Sequence, residues 1–78
     1  MNPRVKSVSP IEDGFLKLEF TNKEFRLFDV KPYFENNIFA ELRQKDLFDT
    51  ARVFNGTVVW DNELDFCPDT LYIESVAC

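Results

Sequence analysis

Asp61, Glu63, Asp65 and Asp69 form the densest cluster of carboxylates in the chain. Carboxylates at such spacing could hold a hard cation or serve as a general acid and base. Calcium loops begin with the same alternation of acidic positions. Counting from Asp61, however, puts Phe66 where the loop's sharp turn needs glycine and Tyr72 where it needs a bidentate glutamate. A carboxylate metal-binding protein is therefore only a lesser alternative. Acid–base work needs a concave site that drives two carboxyl pKa values apart, and a domain this small is expected to offer little volume for one. The structural reading has Asp61 and Glu63 solvated and Asp65 accepting backbone amides of the following turn. Asp69 then complements the N-terminus of a helix.

Other chemistries lack their parts. With no histidine there is no triad and no imidazole partner for a thiol. Two glycines, Gly14 and Gly56, cannot make a glycine-rich phosphate loop. Cys67 and Cys78 are too few for a thiolate zinc site. They could form a disulfide, but the N-terminus lacks the apolar stretch of a secretory signal, so two reduced thiols, one buried, are the leading reading. No catalytic, cofactor-binding or metal-binding residues are assigned, and no enzyme is expected.

The whole chain, 1–78, reads as one domain near the lower end of what folds without staples. Nine phenylalanines with Trp60, Tyr33 and Tyr72 supply a dense core. Fourteen acidic residues against nine basic give a net charge of −5, which opposes attraction to phosphate backbones and anionic membranes. No apolar run is long enough to span a bilayer, and a cytoplasmic protein is expected.

The elements that would position any site follow from periodicity. Arg4–Ser9 leans to strand and should end at Pro10. After a turn at Glu12-Asp13-Gly14, Phe15–Phe20 alternates, with Leu16, Leu18 and Phe20 on one face. Thr21-Asn22-Lys23 turns the chain into Glu24–Val30, where Phe25 and Leu27 share one face and Arg26 and Phe28 the other. Pro32 starts a short helical turn, and Phe34, Ile38, Phe39 and Leu42 make a helical stripe. Asp46 is placed to cap a last turn holding Leu47, Phe48 and Ala51. Asn55-Gly56 between R-V-F and T-V-V signals a type I′ hairpin whose buried side carries Ala51, Val53, Val58 and Trp60. Pro68-Asp69 opens a C-terminal helical turn. The fold class is α+β: a three-stranded antiparallel meander, short helices, a β-hairpin at Asn55-Gly56, then a short C-terminal helical turn.

An N-terminal meander, the Asp-Val-Lys-Pro exit at Asp29–Pro32, and Trp60…Asp65-x-x-Pro68-Asp69-x-Leu71-Tyr72 together resemble the bacterial family catalogued as domain of unknown function 2442. The resemblance spans roughly Val5 to Tyr72. It implies a small α+β domain, usually stand-alone and sometimes followed by a helix-turn-helix. It also implies frequent pairing with a neighbouring gene in what look like toxin–antitoxin modules, and no known activity. Two departures stand out: Asp61-Asn62-Glu63-Leu64 replaces the more familiar Pro-Asn-Gly-x, and Lys23 replaces a frequent glycine.

The expected function is an uncharacterised binding module for a protein partner, one encoded by an adjacent gene being the natural candidate. The exposed surface for it would be Phe15, Phe28 and Phe54, opposite the core rows, beside an unpaired sheet edge. Helices covering that face, and self-association through the edge, stay open. A nucleic-acid-associated regulatory protein is the alternative, opposed by the scattered basic residues and by the absence of the helix-turn-helix before Cys78. Trp60, Asp65, Pro68, Asp69, Leu71 and Tyr72 are expected to be structural.

Overall fold

The computed structural model describes residues 2–77. Its strands are Val5–Ile11 (β1), Phe15–Phe20 (β2), Phe25–Asp29 (β3), Arg52–Phe54 (β4), Thr57–Val59 (β5) and Val76–Ala77 (β6). Its α-helical segments are Lys45–Phe48 (α1) and Pro68–Glu74 (α2), with 3-10 turns at Glu12–Gly14, Lys31–Glu35 and Ala40–Arg43. The architecture is α+β, as the sequence pattern indicates. β1, β2 and β3 form the antiparallel meander, and β4–β5 form a separate hairpin.

Two features of the sheet differ from the sequence expectation. β1 runs through Pro10, which pairs with Leu16. The strand lies at the sheet's edge, where a residue without an N–H is tolerated. β6 adds a fourth strand against β3, through Leu27–Val76 and Arg26–Ala77. It covers part of the edge that a three-stranded reading leaves open, and its two residues are too few to carry a periodic signal.

The face assignment of β3 is reversed as well. Leu16 opposes Phe28 and Leu18 opposes Arg26, so Arg26 and Phe28 share the core face with Leu16, Leu18 and Phe20. The cause is the turn. The Lys23 amide donates to the Phe20 carbonyl and the Phe20 amide to the Glu24 carbonyl, leaving three residues in the loop. Phe20 then faces Glu24, and every paired position on β2 and β3 has the same parity.

The second half of the chain shows the same device again. The Glu63 amide donates to the Trp60 carbonyl and the Trp60 amide to the Leu64 carbonyl, around Asp61-Asn62-Glu63. In both turns the asparagine side chain accepts the amide two residues on: Glu24 on Asn22 at 3.1 Å, Leu64 on Asn62 at 3.2 Å. In both, the next residue is left-handed, with φ 72° at Lys23 and 71° at Glu63. The two departures from the familiar family sequence therefore fall on the two positions whose backbone favours glycine.

The Asn55-Gly56 turn is the expected tight hairpin, with positive φ at both residues and the pairs Arg52–Val59, Val53–Val58 and Phe54–Thr57. Gly56 is required twice over. Its φ is 78°, and a Cβ there would meet the Arg4 side chain at 2.9 Å, where the Gly56 carbonyl accepts the Val5 amide. This contact ties the hairpin to the start of β1.

Between sheet and hairpin, the expected helical stripe is broken into turns. Asn36 is extended, and its side chain takes the Ile38 amide at 2.8 Å, a local bond that competes with helix propagation. Ile38 points to solvent, while Leu42 is buried and Phe34 and Phe39 pack against the core. Asp46 does not cap α1; it lies inside it, after an extended Gln44. One core cluster gathers Val5, Leu16, Leu18, Phe20, Phe28, Val30, Leu42, Phe48, Val58, Trp60, Phe66 and Leu71.

Lys23→Gly and Glu63→Gly are each expected to stabilise the fold by about 0.5–1 kcal/mol, relief of left-handed strain outweighing the added chain entropy of glycine. Urea midpoints measure this, and a midpoint that falls in both variants would contradict it.

Candidate functional site

The closing motif begins in the core. Trp60 is buried and its indole Nε1 donates to the Phe48 carbonyl at 3.1 Å. After the Asp61–Leu64 turn the chain runs back beside β5, through a bridge between Asp65 and Val59 and a bond from the Phe66 amide to the Val58 carbonyl. The Thr57 hydroxyl, itself buried, donates to the Phe66 carbonyl. This backbone seating drops the Phe66 ring among four others, with centroids at 4.8 Å from Phe39, 4.9 Å from Tyr33, 5.2 Å from Phe28 and 5.6 Å from Trp60. Sequence reasoning misses Phe66. Its one signal is a single aromatic residue in an acidic segment.

Pro68 then starts α2 at its first position, where the missing N–H costs nothing. Leu71 enters the core, and Tyr72 sets its ring edge-on to Phe20 at 5.0 Å. The Arg26 guanidinium lies 4.6 Å over the Tyr72 ring and donates to the Ser75 hydroxyl and carbonyl, both at 2.7 Å. It also pairs with Glu24 at 3.2 Å, and the Tyr72 hydroxyl donates to the same carboxylate. The bonds from Tyr72 and then Asn22 hold the Glu24 carboxyl below the usual range, and the same bond pushes the Tyr72 hydroxyl up. The helix is thereby clamped to the β2–β3 turn.

The four carboxylates do not converge. Asp61 pairs with Arg52 at 2.6 Å, and Glu63 occupies the left-handed turn position, exposed. Asp65 is exposed, and its side chain accepts no hydrogen bond among the described residues; the backbone bridge to Val59 holds the segment instead of the expected side-chain bonds. Asp69 sits in the first turn of α2 and accepts from Asn2 at 3.4 Å, with no side-chain cap on the helix. Among the described residues, no three acidic or thiol groups are placed to hold a metal ion. Cys67 is exposed, and Cys78 lies outside the described residues.

The three phenylalanines expected on a partner surface separate. Phe28 is 1% exposed and belongs to the core, because the three-residue turn places it opposite Leu16. Phe54 is 60% exposed on the hairpin. Phe15 is half-buried on the outer face of the sheet, beneath the Lys31 ammonium at 3.8 Å. Its neighbours there come from register: Ile11 opposes Phe15, Leu27 opposes Lys17 and Val76, and Phe25 opposes Glu19. Phe25 is 49% exposed and Val76 62%, so this outer face carries an uncovered apolar band. Lys6 and Glu19 pair at 3.7 Å beside it, and Lys31 and Asp29 at 3.1 Å.

At one end of the sheet lies a groove of about 850 Å³, a volume not expected of a domain this size. It opens between the Glu12–Gly14 turn and the Lys31–Asp49 segment, and Ile11 and Lys31 border both it and the outer face.

A family model described as a protein of unknown function, DUF2442, matches residues 5–77, nearly the whole chain. The chain belongs to the DUF2442 family. No curated protein and no solved structure matches it. In this DUF2442 chain, Trp60, Pro68, Leu71 and Tyr72 are explained by packing and closure. Asp69 stands in the first turn of α2, where a carboxylate complements the helix N-terminus, while the Asp65 side chain accepts no hydrogen bond among the described residues. No described helix is long and apolar enough to cross a membrane.

Phe66→Ala is expected to cost about 3–5 kcal/mol, most of the stability available to so small a domain. Phe54→Ala should stay within about 0.5 kcal/mol of the wild type. Equal losses in the two, read by urea unfolding, would remove Phe66 from its central position. Tyr33 gives a second test. Burial, then the bond its hydroxyl donates to Glu74 at 2.5 Å, pushes its pKa from 10.0 to about 12. The unfolded chain therefore ionises first, and stability present below pH 10.0 is lost as pH rises toward about 12. Tyr33→Phe should flatten that alkaline decline, and an unchanged slope would show that Tyr33 does not cause it.

Proposed function

We propose that this protein is a non-enzymatic binding module whose outer sheet face receives a protein partner. It would act as one half of a paired, toxin–antitoxin-like or regulatory module in a bacterial cytoplasm. The apolar band carries this reading: Ile11, Phe15, Phe25, Leu27 and Val76 share one face of the four-stranded sheet, with Ile11, Phe25 and Val76 exposed. A chain of 78 residues has few apolar groups to spare from its core. Leaving such a band in water has a cost that a partner surface would recover by excluding that water. The pairing with an adjacent gene product rests on what the DUF2442 resemblance implies.

A nucleic-acid reading also has a face to use, since Lys17 and Lys31 lie against the Phe25 and Phe15 rings. Glu19 and Asp29 offset it by pairing with Lys6 and Lys31, and the net charge of −5 opposes it further.

Co-expression with the product of the adjacent gene should give one co-eluting species in size-exclusion chromatography. Phe25→Glu, which puts a charge into the band without touching the core, should split that species while leaving the melting temperature nearly unchanged. Two independently eluting proteins in the wild type, or DNA binding that weakens steeply with salt, would overturn the proposal.

A further inference from the structure

The groove at the end of the sheet has an apolar floor and a rim whose charges are only partly satisfied. Ile11, Phe34, Leu42 and Phe48 line it, Leu42 and Phe48 being buried beneath. Gly14 lets the β1–β2 turn close against it: φ is 78°, and a Cβ would stand 2.8 Å from Lys31 Cγ and 3.4 Å from the Phe34 ring. Two of its cations are already engaged. Lys31 pairs with Asp29, donates to the Asp13 carbonyl at 2.5 Å and covers the Phe15 ring, while Lys45 pairs with Asp49 at 2.7 Å. The Asp49 bond, with lesser help from Asp46 and Glu12, raises the Lys45 pKa above its ordinary value. Of the described residues that line the groove, the Glu12, Asp13 and Glu35 carboxylates have no ion pair, against one cation without one, Arg43.

We propose that this groove docks a short segment of a partner protein in which apolar side chains are flanked by lysine or arginine. The inference rests on the reading that the chain binds a protein, and names where and with what chemistry. An apolar side chain on Phe34 and Phe48 removes water from an aromatic floor, and the flanking cations meet the three unpaired carboxylates of the rim. An acidic segment of the same shape is rejected, because its charges would stand against those carboxylates. Ile11 lines the groove and opposes Phe15 on the outer sheet face, so a partner lying on that face can reach the groove without a gap.

The test is an amide-shift titration of the isotope-labelled full chain with two short amidated peptides. Each carries a central leucine–phenylalanine pair, flanked by lysines in one and by glutamates in the other. The lysine peptide is expected to move the amides of Gly14, Lys31, Phe34, Glu35 and Leu42, more weakly as salt is raised; the glutamate peptide should move none of them. The double variant Glu12→Lys, Glu35→Lys, both positions exposed, should weaken the lysine peptide roughly tenfold while keeping its dispersed spectrum. No shift with the lysine peptide, shifts confined to Phe25 and Leu27, or equal shifts with both peptides would overturn the assignment. If the adjacent-gene complex forms while the groove amides stay still, the groove assignment fails alone. If the peptide binds the groove while no complex forms, the groove chemistry stands and the sheet-face partner reading fails.

Discussion

The ring of Phe66 is where three parts of the chain meet. Phe28 brings the sheet, Tyr33 and Phe39 bring the irregular segment that follows it, and Trp60 brings the hairpin. Each ring pair is worth about 0.5–1.5 kcal/mol beyond area burial, and a domain of this size buries only about 60–65% of its unfolded surface. Without that ring, the segment Lys31–Phe48 would lose the contact shared by Tyr33 and Phe39, and its own turns are short and mostly 3-10 in character. The backbone bonds at Val58 and Val59 and the Thr57 hydroxyl aim the ring. Hydrogen bonding thus sets geometry and aromatic packing supplies the energy.

A second, polar constraint closes the fold at its C-terminal end. Arg26 is drawn onto the core face by the parity of the β2–β3 turn, an expensive place for a guanidinium. The structure satisfies it with the Ser75 hydroxyl and carbonyl and the Tyr72 ring from α2 and its exit, and with Glu24 just before its own strand. The C-terminal helix is thus positioned by a charge that would keep only Glu24 as a partner without it. This explains why Leu71 and Tyr72 belong to one motif: the first contributes burial and the second direction.

Much of this was readable from residue order, and the unread parts have physical reasons. Asn55-Gly56 and the alternation of Phe15–Phe20 carry their own geometry, because positive φ at two adjacent residues and a period of two each admit few structures. Glu24–Val30 is different, since apolar groups lie on both of its faces and alternation alone cannot choose between them. The length of the Thr21-Asn22-Lys23 turn does choose, and it makes Phe28 core and Phe25 surface. The helical stripe from Phe34 to Leu42 fails because Asn36 offers its neighbour a closer acceptor than a helix would. β6 and the groove arise from long-range packing and have no local signature.

The outer strand β1 has a consequence for the molecule at high concentration. A protein with an apolar sheet face and a free edge invites copies of itself to stack into fibrils. Here the edge strand carries a register irregularity between Val5 and Ser7, a lysine at that irregularity, Lys6, and Pro10 in its last turn of pleat. An incoming strand would find a kinked ladder, a charge to bury and a position that cannot donate. The apolar face can therefore stay open without the edge becoming a template for polymer growth.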